Sequence, residues 1–271
     1  MTVAQLEAAL TGCRACPRLV RWREQVGREK RRAFADRDYW ARPVPGFGPA
    51  TAPLVIVGLA PAAHGGNRTG RAFTGDPSGD VLFAALHDLG LATRPTSTSR
   101  DDGTELVGVR ITMPVHCAPP DNKPTPDERD ACRPWLAREL TLLRPTVRVI
   151  VTLGAFAWQS LLPILADAGW RVPRPRPAFG HGTEIELESG SEFSASTPTP
   201  TRALTVPPSA AASDSASESE SESESVHAAG GQGLRLIGCY HPSHRNIATR
   251  TLTPEMLREV MARAAEAAGL R

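Results

Sequence analysis

LVIVGLAPAAHGGNRTGRAFTGD, residues 54–76, begins with four apolar residues and runs without a break into glycines. From Gly58 to Asp76 it holds five glycines, three cationic or potentially cationic side chains (His64, Arg68, Arg71), the aromatic Phe73 and a closing carboxylate. A short apolar run with little alternation reads as a strand covered on both faces. Three further runs share that character: Val109–Val115, Val147–Leu153 and Leu234–Cys239. Helical patterns separate them at Val81–Leu89, Arg133–Leu143 and Ala155–Ala168. A last helix is expected over Pro254–Ala268, with Thr253 as N-cap and Pro254 in the first helical position. Strands alternating with helices predict a three-layer α/β/α sandwich around a central, mostly parallel four-stranded sheet. In such sheets ligands bind beyond the carboxyl ends of the strands. The first strand ends in the glycine-rich stretch, the second in HCAPPDNKPTP (116–126), and the fourth in CYHPSHRN (239–246). Three polar segments should therefore meet at one edge.

The chain has 271 residues, enough to bury a core, and no apolar run long enough to span a bilayer. Its start, MTVAQLEAALTGC, lacks the basic-then-apolar layout of a signal peptide, so a cytoplasmic protein with no membrane contact is expected. The net charge of +2 hides an asymmetry. Between Arg14 and Arg37 nine basic residues face three acidic ones, whereas Ser189–Gln232 carries six acidic residues and one basic. A basic body suits a polyanion, although a charged helix face reads the same way. The stretch from about 189 to 231 is rich in Ser, Pro, Ala and Glu and poor in large apolar residues. Disorder is expected there, as an insertion interrupting a single domain that spans 1–271.

The five cysteines divide into two pairs and one left over. Cys13 and Cys16 form a C-x2-C pair, which suits a metal or a redox dithiol. Cys117 and Cys132 are spaced more widely. Four thiolates suit zinc or an iron–sulfur cluster, and the spacing does not choose between them; Cys117 and Cys132 also read as small buried residues. Cys239 lies inside a predicted strand and reads as core.

The three polar segments occur together with VRWREQ (20–25), YWARPVPGFG (39–48) and LTPEML (252–257). On these motifs the chain resembles the family 5 uracil-DNA glycosylases, of the UDGb type, in an actinobacterial form. The resemblance covers nearly the whole chain except the Ser/Glu-rich stretch. It implies a monomeric repair enzyme that flips uracil, and other deaminated bases such as hypoxanthine, out of DNA and hydrolyses the N-glycosidic bond. It also implies a [4Fe-4S] cluster on Cys13, Cys16, Cys117 and Cys132, in a structural role. A non-catalytic nucleic-acid-binding protein with a structural metal is the alternative.

Breaking the bond puts positive charge on the sugar and negative charge on the departing base. The resemblance assigns the carboxylate on the sugar side to Asp76; Asp80 competes, and Asp76 also reads as the N-cap of a helix beginning near Pro77. It assigns base stacking to Phe73, which also reads as a loop anchor. It assigns the donor to the leaving base to His241 and a site amide to Asn122, a residue that alone reads as a turn former. The backbone of Gly58, Ala60, Ala62 and Ala63 is expected to approach base or water, and His64 to shape the pocket. Arg68 and Arg71 are expected to shape the pocket or touch phosphate and Ser243 to bond a phosphate, with His244, Arg245 and Asn246 forming a loop that enters the duplex. Relatives with narrow uracil specificity carry an Asn near the end of strand two, and family 4 members a Glu in the first motif. Met113, Pro114 and Leu59 occupy these regions here, which implies a wider substrate range.

Overall fold

The computed structural model describes residues 1–189 and 233–271. The expected disorder of about 189–231 lies, but for Ser189, outside the described residues.

Two helices, α1 (Val3–Thr11) and α2 (Pro17–Glu29), lead to the first strand, β1 (Leu54–Val57). After β1 come a short helix, α3 (Gly66–Thr69), and α4 (Pro77–Asp88), then β2 (Val109–Thr112) and α5 (Pro126–Leu143). The chain continues through β3 (Val149–Leu153), α6 (Ala155–Asp167), β4 (Glu184–Leu187), β5 (Leu234–Cys239), α7 (His244–Ala248) and α8 (Pro254–Ala267). The strand order is β2-β1-β3-β5-β4. β2, β1, β3 and β5 run parallel, and β4 lies antiparallel at the edge.

Period-two alternation assigns each strand residue to a layer. Leu54 and Ile56 face the layer of α4 and α8 with Leu82, Phe83, Leu257 and Val260. Val55 and Val57 face the layer of α5 and α6 with Leu136, Leu140, Trp158 and Leu161. The three-layer sandwich is therefore as expected, but the sheet has five strands instead of four. The additional strand, EIEL, has only Leu187 buried. Its Glu184 and Glu186 pair across the ladder with Arg235 at 3.1 and 2.6 Å. Charges on an edge strand block pairing with other chains, and they also disguise the strand in the sequence.

Helix boundaries follow their caps. Thr253 caps α8 as expected, accepting from the Met256 amide. α5 begins seven residues earlier than its apolar pattern, at Pro126, because Thr125 and Glu128 form a capping box.

β1 leads into α4 on one face of the sheet, and β3 leads into α6 on the other. The carboxyl ends of these neighbouring strands therefore part. This is the switch point at which open α/β sheets bind ligands, and Gly58 stands at it.

Candidate active site

Gly58 donates its amide to the Thr112 carbonyl at 2.8 Å, extending the sheet by one rung before the chain turns away. The next eighteen residues form a compact loop held by its own side chains. Arg68 donates from Nε to the His64 carbonyl at 2.7 Å and from Nη2 to the Gly75 carbonyl at 3.0 Å. Its guanidinium also lies over the Phe34 ring, 4.1 Å from the centroid. Asn67 is fully buried and donates to the Arg23 carbonyl at 3.2 Å.

Asp76 ends this loop and caps α4. Its Oδ1 accepts from the Ser78 and Gly79 amides at 3.0 and 3.1 Å. Oδ2 is turned toward Gly65, where a Cβ would sit 2.1 Å from it. One carboxylate oxygen serves the helix and the other faces the loop, so the N-cap role occupies only Oδ1. Burial pushes the Asp76 pKa up. The two cap bonds and Arg68 pull it down, while Asp80 adds to the rise. Asp80 is exposed in the first turn of α4.

A cavity of about 490 Å³ lies beside Asp76 and is lined also by Ala62, Ala63, His64 and Asn122. Asn122 follows Asp121, and both adopt a left-handed backbone with φ of +54°. Two consecutive non-glycine residues in that region store strain, as is common in binding loops. Arg18 anchors the segment, pairing with both Glu128 oxygens at 2.7 and 2.8 Å and donating to the Lys123 carbonyl at 3.1 Å. Trp22, Arg31 and Phe34 line the cavity as well. The indole nitrogen of Trp22 is buried without a hydrogen-bond partner. Sequence reading singled out none of these three for the pocket; only the packing of α2 and the segment that follows it against the loop reveals them.

Phe73 and His241 neighbour each other and are not among the residues that line this cavity. The Phe73 backbone is also left-handed, with φ of +50°. The ring presses on Gly58, where a Cβ would sit 2.7 Å from Cε2. It lies 5.8 Å from the His241 ring at an interplanar angle of 30°. At 9% exposure it shows only an edge to solvent. The two rings already touch, so they form adjoining walls and not a sandwich. His241 follows β5 and is half-buried; its carbonyl accepts from Asn246 Nδ2 at 2.9 Å. Burial pushes its pKa down to about 4, which leaves the imidazole neutral at pH 7.

The structure changes several expectations. Arg71 is not a phosphate contact: it is 5% exposed and bonded to Asp102 at 2.6 Å and Ser97 at 2.7 Å. Its charge is consumed internally, and it stacks over Phe47. Arg68 is largely committed to bracing the loop. Ser243 caps α7 by accepting from the Asn246 amide at 3.3 Å, and Asn246 faces inward. His244 and Arg245 remain exposed. Ala60 packs toward the cysteines. Cys239 is core, as expected.

Cys13, Cys16, Cys117 and Cys132 line one small apolar space with Leu10, Leu19 and Trp135. Among the described residues, no group of three or more His, Cys, Asp or Glu is arranged to hold a single metal ion. Burial pushes the Cys117 thiol up to about 11 and raises Cys16 and Cys132. Among the described residues, no helix is long and apolar enough to cross a membrane.

A family model described as the uracil DNA glycosylase superfamily matches residues 45–265. The type-5 uracil-DNA glycosylase of Mycobacterium tuberculosis is 45% identical over 269 residues, spanning 99% of this chain and 83% of that protein. The type-5 uracil-DNA glycosylase of Mycobacterium leprae is 44% identical over 99% of this chain and 97% of its own. That of Thermus thermophilus is 57% identical over 153 residues, 56% of this chain and 68% of that protein.

Proposed function

The chain belongs to the uracil DNA glycosylase superfamily, and we propose that Asp76, His241, Phe73 and Asn122 carry out its hydrolysis of the N-glycosidic bond. It is a DNA-repair glycosylase that removes uracil and leaves an abasic site. A base inside a duplex cannot reach a pocket at a sheet edge, so the nucleotide must be flipped out.

The free Oδ2 of Asp76 stands on the sugar side. As the C1′–N bond lengthens, the carboxylate stabilises the developing oxocarbenium charge and takes a proton from the water that attacks C1′. The electron pair of the broken bond leaves with the base. His241, neutral because it is buried, donates an N–H to the base oxygen where that negative charge gathers. Phe73 supplies an apolar edge against the base. Asn122 offers an amide to base or water across the cavity from α2. The observation that carries this reading is the divided role of Asp76, one oxygen capping α4 and the other facing Gly65 beside the cavity.

Met113 is buried beneath Gly58 at the end of β2, and a thioether cannot read the polar edge of a base. The substrate range therefore extends to hypoxanthine and other deaminated bases. The test is incubation with uracil, hypoxanthine and xanthine duplexes, followed by alkaline cleavage of abasic sites. Activity confined to uracil sinks the wider range, and binding without scission sinks catalysis altogether.

The four cysteines would hold a [4Fe-4S] cluster. Their all-thiol donor set and shared apolar enclosure suit it, and so does a buried cation, Arg23, touching them. When bound, the group would supply a crosslink between the turn joining α1 to α2 and the segment that runs from β2 into α5. Hydrolysis of the bond requires no electron from it.

A further inference from the structure

Arg23 follows Trp22 on α2, and the two neighbours serve different places. Trp22 walls the cavity of Asp76, while Arg23 turns into the protein beside the cysteines. The Arg23 side chain is 2% exposed. It donates from Nη1 to Cys117 Sγ at 2.8 Å and from Nη2 to the Cys13 carbonyl at 3.0 Å. Its Nε is buried with no hydrogen-bond partner. No carboxylate forms a salt bridge with it among the described residues, although the neighbouring arginines Arg14 and Arg18 both have one.

Burying a guanidinium without an anion beside it is strongly unfavourable. Among the described residues, the ionisable group that its guanidinium hydrogen-bonds is a thiol, Cys117 Sγ, while Glu24 is paired with Arg14. We propose that Arg23 is the resident counter-cation of the four-cysteine centre, neutralising part of its thiolate charge and donating to its sulfurs. The assignment rests on the metal-cluster reading above. Four thiolates brought together in an apolar space repel one another, and a fixed positive charge offsets that repulsion. The unpartnered Nε–H is a further donor for an anionic sulfur centre. Asn67 holds the Arg23 backbone in place from the substrate loop, so the position of the cation is fixed from both sides.

The test uses the full chain purified without oxygen, as wild type, Arg23→Met, Arg23→Lys and Arg21→Gln, the last an exposed arginine on the same helix. Iron and sulfide per chain are counted, and iron release to a chelator is followed by the loss of visible absorbance. Arg23→Met should release iron roughly 10–100-fold faster, the usual penalty for removing a partner that supports a metal ligand. Its reduction potential should fall, because a centre with less positive charge nearby is harder to reduce. Arg23→Lys should lie between, keeping the charge without the fork, and Arg21→Gln should match wild type. Wild-type release and potential in Arg23→Met overturn the proposal. Should that variant fail to fold, as judged by circular dichroism, wild-type behaviour of Arg23→Lys in both measurements overturns it, and faster release with a lower potential supports it. Wild-type protein carrying zinc and no sulfide removes the cluster reading alone, and zinc release from the same variants then decides Arg23. Wild-type protein carrying no metal overturns both.

Discussion

Asp76 Oδ2 occupies the space that a side chain at residue 65 would need, with a Cβ on Gly65 falling 2.1 Å from it. The carboxylate reaches its position only because that residue is glycine. Gly65→Ala must push Asp76 aside or distort the loop, and a misplacement near 1 Å costs about 100-fold in rate. The expected result is a loss of that size in single-turnover excision, with uracil-DNA affinity changed far less.

Asp76→Asn and Asp76→Ala separate the two jobs of this residue. Asparagine keeps the oxygen that caps α4, so its thermal stability should match wild type, whereas alanine should lose about 1 kcal/mol. Both should lose roughly 10²–10⁴-fold in turnover, the range for removing a general base. Wild-type single-turnover rates in Asp76→Asn would move the role to another group.

The pH profile follows from the charges around Asp76. Its pKa is raised, chiefly by burial and in part by Asp80, and only the deprotonated form can take a proton from water. Asp80→Asn removes a like charge, lowers the Asp76 pKa and should move the acid limb of kcat/KM to lower pH. His241→Asn should reduce the rate without moving that limb. An acid limb left in place by Asp80→Asn assigns it to a different group.

Arg71 looks in the sequence like a phosphate contact and serves in the structure as an internal brace. Breaking its buried pair with Asp102 by Arg71→Gln should cost about 3–5 kcal/mol in unfolding experiments. The slope of DNA affinity against salt, which counts phosphate contacts, should stay at its wild-type value.

How much could be read from the sequence depended on the kind of signal. β1 and its glycine-rich sequel were legible because an apolar run ending in glycine has few other readings, and the convergence of three strand ends followed from the fold class. EIEL was not, since its two glutamates and its brevity resemble surface loop. Arg71 misled because a cation in a DNA-binding motif is usually exposed, and composition carries no record of the Asp102 partner thirty-one residues away. Trp22, Arg31 and Phe34 reach the cavity through packing alone. Cys117 and Cys132, far from Cys13 and Cys16 in the chain, line one space with them.

The pairing of Leu187 with Leu234 fixes where the Ser/Glu-rich stretch is attached. Because β4 runs against β5, Ser189 and Gly233 both stand at the amino edge of the parallel strands, whereas Gly58 and His241 follow the carboxyl ends of β1 and β5. The attachment points of that stretch are thus at the end of the sheet opposite the candidate site. Splicing in a two-residue hairpin turn there should leave excision from a short oligonucleotide intact, and a fluorophore or fusion partner grafted at the same point should be tolerated.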